Sequence, residues 1–496
     1  MDIPRFLEQV LPAPCLAGRT LWINGQWEAA ASGLQFESEN PATTEIVFSL
    51  AKGDVQDTYR AVSAAKAAAR NWAMTEGRAR TGMLLRVASL IRTHGKTLGL
   101  LDTIDSGRPI SQTTGAAIES VAALFEYYAG LTDKIHGAAI PMGADRSGVV
   151  EREPLGVVGA ISPWNYPLLN AATKIAPIVA CGNTVVLKPA EQTSLSALFL
   201  ATLLHDAGVP DGVVNIVTGL GTQAGAALVE HPDVSLVSFT GSTTTGRHIA
   251  SQAGRGLKPV VLELGGKSPL IVFADADIKR AAEAAVFSTF MNMGQTCTAC
   301  NRVIVASSVK RQFVEHCQQA ARRLRIGNPQ DPATQIGPIV SRAQFQRVTD
   351  LTQGVDSIAL DMPGYLPPEK GYFFRPMIVE HFDPDSPFAR AEIFGPVMSI
   401  HEFTDTPQAW QIANDTEYGL AASVWTTSLS TAEQARRHIE AGIVWINCVH
   451  ALNPNLPVCG HKNSGIGMEY GLEAISQYTR VKSTVTMFGG WTSPFA

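Results

Sequence analysis

The chain has 496 residues, 45% of them hydrophobic and 17% charged, and a formal net charge of −5. That length asks for roughly two to four domains with sizeable cores, and the apolar content excludes a disordered chain. The 39 basic residues are dispersed among 44 acidic ones, so no nucleic-acid footprint stands out.

The N-terminal stretch MDIPRFLEQVLPAPCLAGRT has an early acid, an early proline and no apolar run, unlike a secretory signal. It reads as an arm. LWINGQW, ending at Trp27, predicts a hairpin with Asn24-Gly25 at its turn. Residues 54 to 72 are alanine-rich with helical spacing, and Asp54 is placed to cap that helix. Helical patterns continue through Ile91 and again from Ala116 to Leu131. Residues 135 to 154 predict an extended excursion with a turn near Gly143.

From there strands and helices alternate. Gly156 to Ile161, Thr184 to Leu187, Gly212 to Val217 and Ser235 to Phe239 are short apolar runs without period-two alternation, as in strands buried on both faces. Helical segments lie between them, around 168–180, 193–207, 222–229 and 244–253. This pattern predicts a doubly wound α/β domain. A second α/β alternation follows Gly266: Ser268 to Phe273 strand, 277–291 helix, Arg302 to Val305 strand, 308–324 helix. From about 325 to 410 proline is frequent and the pattern loosens; Gly442 to Asn447 is a further strand candidate. TRVKSTVTMF, residues 479 to 488, alternates like an edge strand. The uncharged stretch Leu155 to Thr173 holds two prolines, two asparagines and a tryptophan, and is not expected to span a membrane. Seven cysteines, at positions 15, 181, 297, 300, 317, 448 and 459, suggest reduced thiols in a reducing compartment, the cytoplasm.

MNMGQTCTAC, residues 291 to 300, places Cys297 and Cys300 three apart. A structural zinc site needs four ligands, and neither a second C-x-x-C nor a spaced histidine pair accompanies them. A dithiol redox pair opens a helix after a strand, whereas this pair follows a helix and precedes a strand. The remaining reading is one nucleophile, Cys297, on a bend that Gly294 permits. A nucleophile needs a base. Glu263, in the apolar run VVLELGGKSP, would have its pKa raised by desolvation toward the range of a general base; a salt-bridged glutamate at a strand end is the equal alternative. Asn165 in SPWNYP, bracketed by Pro163 and Pro167, offers a rigid amide N–H to an oxyanion, or serves a turn. For a dinucleotide, GLGTQAG (219–225) is one residue off the glycine fingerprint. FTGSTTTG (239–246) is better placed, between a strand and a helix whose N–H groups can meet a pyrophosphate. Lys188 and Glu191 follow another strand, where they could grip ribose hydroxyls or be solvated loop charges.

In order and spacing, PWNYP, KPAEQTS, FTGST, LELGGKSP, MNMGQTC, EIFGPV (392–397) and KNSGIGMEYG (462–471) resemble the aldehyde dehydrogenase family, from about residue 20 to residue 488. The resemblance implies an α/β fold with a doubly wound cofactor domain (1–131 and 155–265), an α/β catalytic domain (266–462) and a small β-hairpin oligomerisation element (132–154 and 478–496). It implies Cys297 as nucleophile, Glu263 as the base that activates water, and Asn165 as oxyanion donor. Cys300 has no role in it and is expected to be a buried thiol. It implies NAD, with NADP possible, held by Ile161, Trp164, Lys188, Glu191, Gly241, Ser242, Leu264, Glu392 and Phe394. A glutamate such as Glu191 near the ribose 2′-hydroxyl favours NAD. A homodimer or homotetramer follows by the same resemblance.

The resemblance also implies a substrate pocket of Tyr166, Asn170, Thr173, Met291, Thr296, Thr298, His450, Leu452 and Val458. Thr173 stands where betaine-aldehyde enzymes carry tryptophan, which argues against a quaternary ammonium head. No arginine is among these positions to pair a carboxylate; Arg108 is the nearest and is expected at the surface. The expected substrate is a small or medium polar aldehyde, oxidised to the carboxylic acid through a cysteine thiohemiacetal and a hydrolysed thioester. A semialdehyde, an aminoaldehyde or betaine aldehyde is the alternative, followed by acyl transfer to coenzyme A, which the presence of Glu263 disfavours, and by a non-catalytic structural protein.

Overall fold

Five short apolar runs are parallel neighbours in an eight-stranded sheet: in spatial order Val214–Ile216, Thr184–Lys188, Val157–Ile161, Val234–Thr240 and Val260–Glu263. The computed structural model describes residues 2–360, 362, 369–380, 382, 383 and 385–495. Side chains alternate between the two faces, as a strand requires. Val158, Ala160, Val185 and Leu187 pack with the helices Pro167–Ala180 and Leu195–Asp206. Val157, Ile161 and Val186 join the core shared with the helices Val55–Met74 and Thr243–Arg255. Helices therefore cover both faces, the arrangement expected of runs without polar alternation. Chain order reverses between Val157–Ile161 and Val234–Thr240, which makes the end of Val157–Ile161 the switch point of the sheet.

Both sheet edges are antiparallel. The hairpin Leu21–Ile23 and Gln26–Glu28 closes one, with Asn24 (φ 50°) and Gly25 (φ 75°) in the left-handed region that its tight turn demands. Gly465–Ile466 pairs with Val260–Glu263 at the other; this edge strand lies beyond the 266–462 span expected of the second domain. The helix Val55–Met74 begins as expected at Asp54, with a capping box completed by Asp57. The GTQAG stretch differs from the plain helix expected over 222–229. It makes a π-helical turn, Gly221–Gly225, before Ala226–Glu230.

The second sheet has six parallel strands, in the order Met377–Val379, Val397–Phe403, Arg302–Ala306, Pro269–Val272, Ala421–Trp425 and Ile443–Ile446. Its core includes Leu270, Val303, Ile400 and Ala421. Three strands, 377–379, 397–403 and 421–425, were not expected; two of them lie in the proline-rich stretch, part of which lies outside the described residues. A third sheet joins Ala138–Pro141, Arg146–Pro154 and Thr479–Met487. The expected excursion and the alternating C-terminal run are thus partners; Ala496, the end of that span, lies outside the described residues. Among the described residues no helix is long and apolar enough to cross a membrane.

Candidate active site

The helix Ile278–Phe290 ends at a bend unlike a simple glycine turn. Asn292 (φ 50°), Met293 (φ 56°) and Gly294 (φ 70°) are all left-handed. Gly294 is obligatory, because an added Cβ would lie 2.1 Å from the Gly395 carbonyl oxygen. The bend brings Cys297 against the end of the strand Val157–Ile161, into a cavity of about 350 Å³ that Asn165 and Glu263 also line.

Asn165 is held at both ends of its amide. Its Nδ2 donates to the Gln295 carbonyl over 2.9 Å, and its Oδ1 accepts from Asn170 over 3.3 Å. One amide N–H remains to face the cavity. Glu263 ends the strand Val260–Glu263, and no described group hydrogen-bonds its Oε1. Burial pushes its carboxyl well above the usual range; Glu469 adds to that and Lys174 opposes it. Burial likewise pushes the Cys297 thiol up to about 12, with Glu392 and then Glu263 contributing. Burial thus favours the protonated thiol, and Glu263 lines the same cavity.

Glu392 and Phe394 line the cavity with Trp164, Gly241, Ser242 and Leu264. The Gly266 N–H donates to Glu392 over 3.0 Å, and burial raises that carboxyl to about 7. Phe394 meets Trp164 edge-on at 5.3 Å between centroids. Ser242 caps the helix Thr243–Arg255, and Leu264 packs so closely on Gly246 that an added Cβ there would clash. Three residues of the expected cofactor set, Ile161, Lys188 and Glu191, lie outside the cavity, at the carboxyl end of the same sheet. Ile161 and Lys188 are cross-strand partners, and Lys188 Nζ donates to Glu191 over 2.9 Å.

All nine expected pocket residues line the cavity. The Tyr166 hydroxyl lies 2.7 Å from Thr296 Oγ1. Thr173 donates to the Leu169 carbonyl over 2.9 Å and stands 3.3 Å from the Tyr470 hydroxyl. His450 bridges Ser288 and Thr298. Met291, Leu452 and Val458 supply apolar wall. Arg108 is not the surface residue expected: it is 6% exposed, its guanidinium stacks 4.1 Å over the Tyr166 ring, and Asp102 lies 3.7 Å away. An aromatic face and a carboxylate together make burial of the cation tolerable. Cys300 is fully buried, its N–H donating to Ser288, and it does not line the cavity.

Sequence reasoning missed the ion pair behind Glu263. Lys174 Nζ, fully buried, donates to Glu469 Oε1 over 2.9 Å and to Ser238 Oγ over 3.0 Å. The signal was a single charged side chain in the otherwise uncharged helix Pro167–Ala180. Tyr470, Leu169, Gln344 and Arg347 also line the cavity and carried no sequence signal of their own.

The family model "Aldehyde dehydrogenase family" matches residues 27–484. The chain is 43% identical to the mitochondrial aldehyde dehydrogenase family 2 member B4 of Arabidopsis thaliana, over 97% of this chain and 90% of that one. It is 42% identical to the mitochondrial benzaldehyde dehydrogenase of Antirrhinum majus, over 97% and 91%. Among solved structures, an indole-3-acetaldehyde dehydrogenase of P. syringae, in complex with NAD+ and IAA, superposes with a TM-score of 0.92 at 37% identity, over 98% of this chain and all of that one. Matched over nearly its whole length in sequence and in fold, the chain belongs to the aldehyde dehydrogenase family.

Proposed function

We propose that this enzyme oxidises an uncharged, small or medium, polar aldehyde to its carboxylic acid, with NAD+ as electron acceptor. The observation that carries the reading is the convergence on one cavity of Cys297, the spare N–H of Asn165 and the unpartnered oxygen of Glu263.

Cys297 gives up its thiol proton to solvent and, as thiolate, attacks the aldehyde carbon. The oxyanion receives the Asn165 amide N–H and the Cys297 main-chain N–H, groups that are in place before charge develops. The residues present fit the cofactor: Lys188 and Glu191 stand together beyond a strand end, the helix starting after Ser242 opens at the same carboxyl end of the sheet, and Glu392 reaches the cavity. Bound there, the nicotinamide supplies the acceptor for the hydride that leaves the thiohemiacetal carbon. Glu263 then takes a proton from water as the water attacks the Cys297 thioester. The acid departs and the thiol is restored. Glu191 repels a 2′-phosphate, which favours NAD+; turned aside, it would admit NADP+.

The wall supports a neutral substrate. Arg108 is committed to Tyr166 and Asp102, and Arg347, the arginine that lines the cavity, donates to the Glu392 main-chain carbonyl over 2.8 Å, which supports a substrate without a carboxylate. Thr173 offers no tryptophan face to a quaternary ammonium group. NADH formation across a panel of neutral, carboxylated, amino-, trimethylammonio-, aromatic and long-chain aldehydes tests this, with Cys297→Ala as control. A hundred-fold preference for long-chain alkanals, or a requirement for coenzyme A, would sink it.

Residues 1–131 with 155–265 are our assignment for the cofactor domain, and 266–462 for the catalytic domain. The segments 132–154 and 478–496, which contribute the third sheet, are assigned to self-association as a homodimer or homotetramer; exposed Ile140, Val149, Val481 and Val485 support this. All seven cysteines are free, which supports a reducing compartment, and the cytoplasm is the reading we adopt.

A further inference from the structure

The bend that presents Cys297 is held from outside as well as from within. Asn292 and Met293 are left-handed although both carry a Cβ, and such geometry persists only where the surroundings enforce it. From within, Asn292 Nδ2 donates to the Asn165 carbonyl over 2.9 Å, and Gln295 Nε2 donates to the Asn292 carbonyl over 3.0 Å. The main-chain N–H of Asn292 reaches outside the bend. It donates to Gln112 Oε1 over 3.2 Å, 180 positions earlier in the chain. Gln112 lies on the one-turn helix Ile110–Thr113 and does not line the cavity.

Donor and acceptor types fix how the Gln112 amide is turned. Its Oε1 meets a main-chain N–H, which can only donate. Its Nε2 donates to the Gln335 carbonyl over 2.6 Å, and a carbonyl can only accept. Turned over, the amide would set two donors against each other at one end and two acceptors at the other. The helix turn under it is itself pinned. Arg108 donates to the Gln112 carbonyl over 2.9 Å, the Ile110 N–H to the Pro329 carbonyl over 2.7 Å, and Ser111 Oγ to the Thr334 carbonyl over 3.0 Å. We infer that Gln112 is a positioning residue for the nucleophile: it spans from this fixed platform to the first left-handed residue of the bend and so keeps Cys297 in its place in the cavity. The inference rests on the proposed role of Cys297 and adds to it a residue that lies outside the cavity.

The test is the single-turnover rate of NADH formation, with enzyme in excess over the best aldehyde of the panel and NAD+ saturating. Gln112→Met, close in size but without the acceptor, slows this rate about 10- to 100-fold, the order of cost for a slightly misplaced reacting group. Its dissociation constant for NAD+ stays unchanged. Gln112→Glu keeps an oxygen for the Asn292 N–H and retains most of the rate, although it loses the bond to Gln335. Ser111→Ala cuts another contact of the same helix turn and leaves the rate at the wild-type value. A merely structural role would lower the melting temperature of Gln112→Met and Gln112→Glu alike and spare the rate. Gln112→Ala carries the same expectation should Gln112→Met fail to fold. An unchanged rate in Gln112→Met, or losses as large in Gln112→Glu or Ser111→Ala, would overturn the inference. Turnover that survives Cys297→Ala would overturn the nucleophile assignment instead, and a wild type that oxidises no aldehyde of the panel would count against the proposed function itself.

Discussion

The side-chain amide of Asn165 donates to the main-chain oxygen of Gln295 over 2.9 Å. With the Tyr166–Thr296 contact, this bond ties the end of the larger sheet to the loop that carries Cys297, two residues before it. It also fixes which end of the amide faces the cavity, since a carbonyl oxygen can only accept. Asn165→Ala removes the donor and the tether together. We expect kcat to fall by about 10²–10³, the range for losing one oxyanion donor, with KM nearly unchanged. Steady-state NADH formation measures both constants, and a loss confined to KM would contradict the role.

Glu263 has a different signature in the proposed scheme, where it acts after hydride transfer. Glu263→Gln is expected to complete one turnover and stall: a burst of NADH equal to the enzyme, then a slow rate. Intact-mass measurement should find Cys297 acylated. The absence of both burst and adduct would place Glu263 before the thioester.

Burial raises the pKa of both Glu263 and Cys297, and both are proposed to act deprotonated. Activity should therefore rise with pH from neutral into the alkaline range. Lys174 lowers the Glu263 pKa and Glu469 raises it. Lys174→Met should then move the rise to higher pH, and Glu469→Gln to lower pH. The pH profiles of kcat/KM decide this, with thermal melts confirming that each variant is folded.

The Glu191 carboxylate, 35% exposed and paired with Lys188, is set to act on cofactor choice. Replacing it by Ser removes a negative charge from the site proposed for the ribose. The kcat/KM ratio of NADP+ to NAD+ should increase about ten-fold, the order of one close like-charge contact in a partly screened site. An unmoved ratio would remove Glu191 from the ribose site.

Arg108 and Asp102, 6% and 4% exposed, form a buried pair below Tyr166. Arg108→Met strips Asp102 of its counter-charge and Tyr166 of its cation. Breaking such a pair costs about 3–5 kcal/mol. A melting temperature several degrees lower is the expected outcome, and an unchanged one would mean that the pair adds nothing.

What the sequence determined by itself was local or ordered along the chain. Asn24-Gly25 announced its hairpin because few residues tolerate two left-handed positions in succession. Asp54 announced a helix start because its carboxylate caps free N–H groups. The unalternating runs around 157–161 and 184–188 announced strands covered on both faces. The ordered motifs announced the family. Tertiary structure alone decided the rest. Arg108 looked like a surface charge because nothing nearby in sequence reveals that Tyr166 will cover it. Val397–Phe403 carries His401 and Glu402, so its place inside a parallel sheet shows only once Arg302–Ala306 and Met377–Val379 flank it. Lys174 and Glu469 are 295 positions apart, and His450 is 152 from Thr298. Periodicity and capping report interactions within a few residues; pairing of buried polar groups across such separations depends on which surfaces the folded sheets bring into contact.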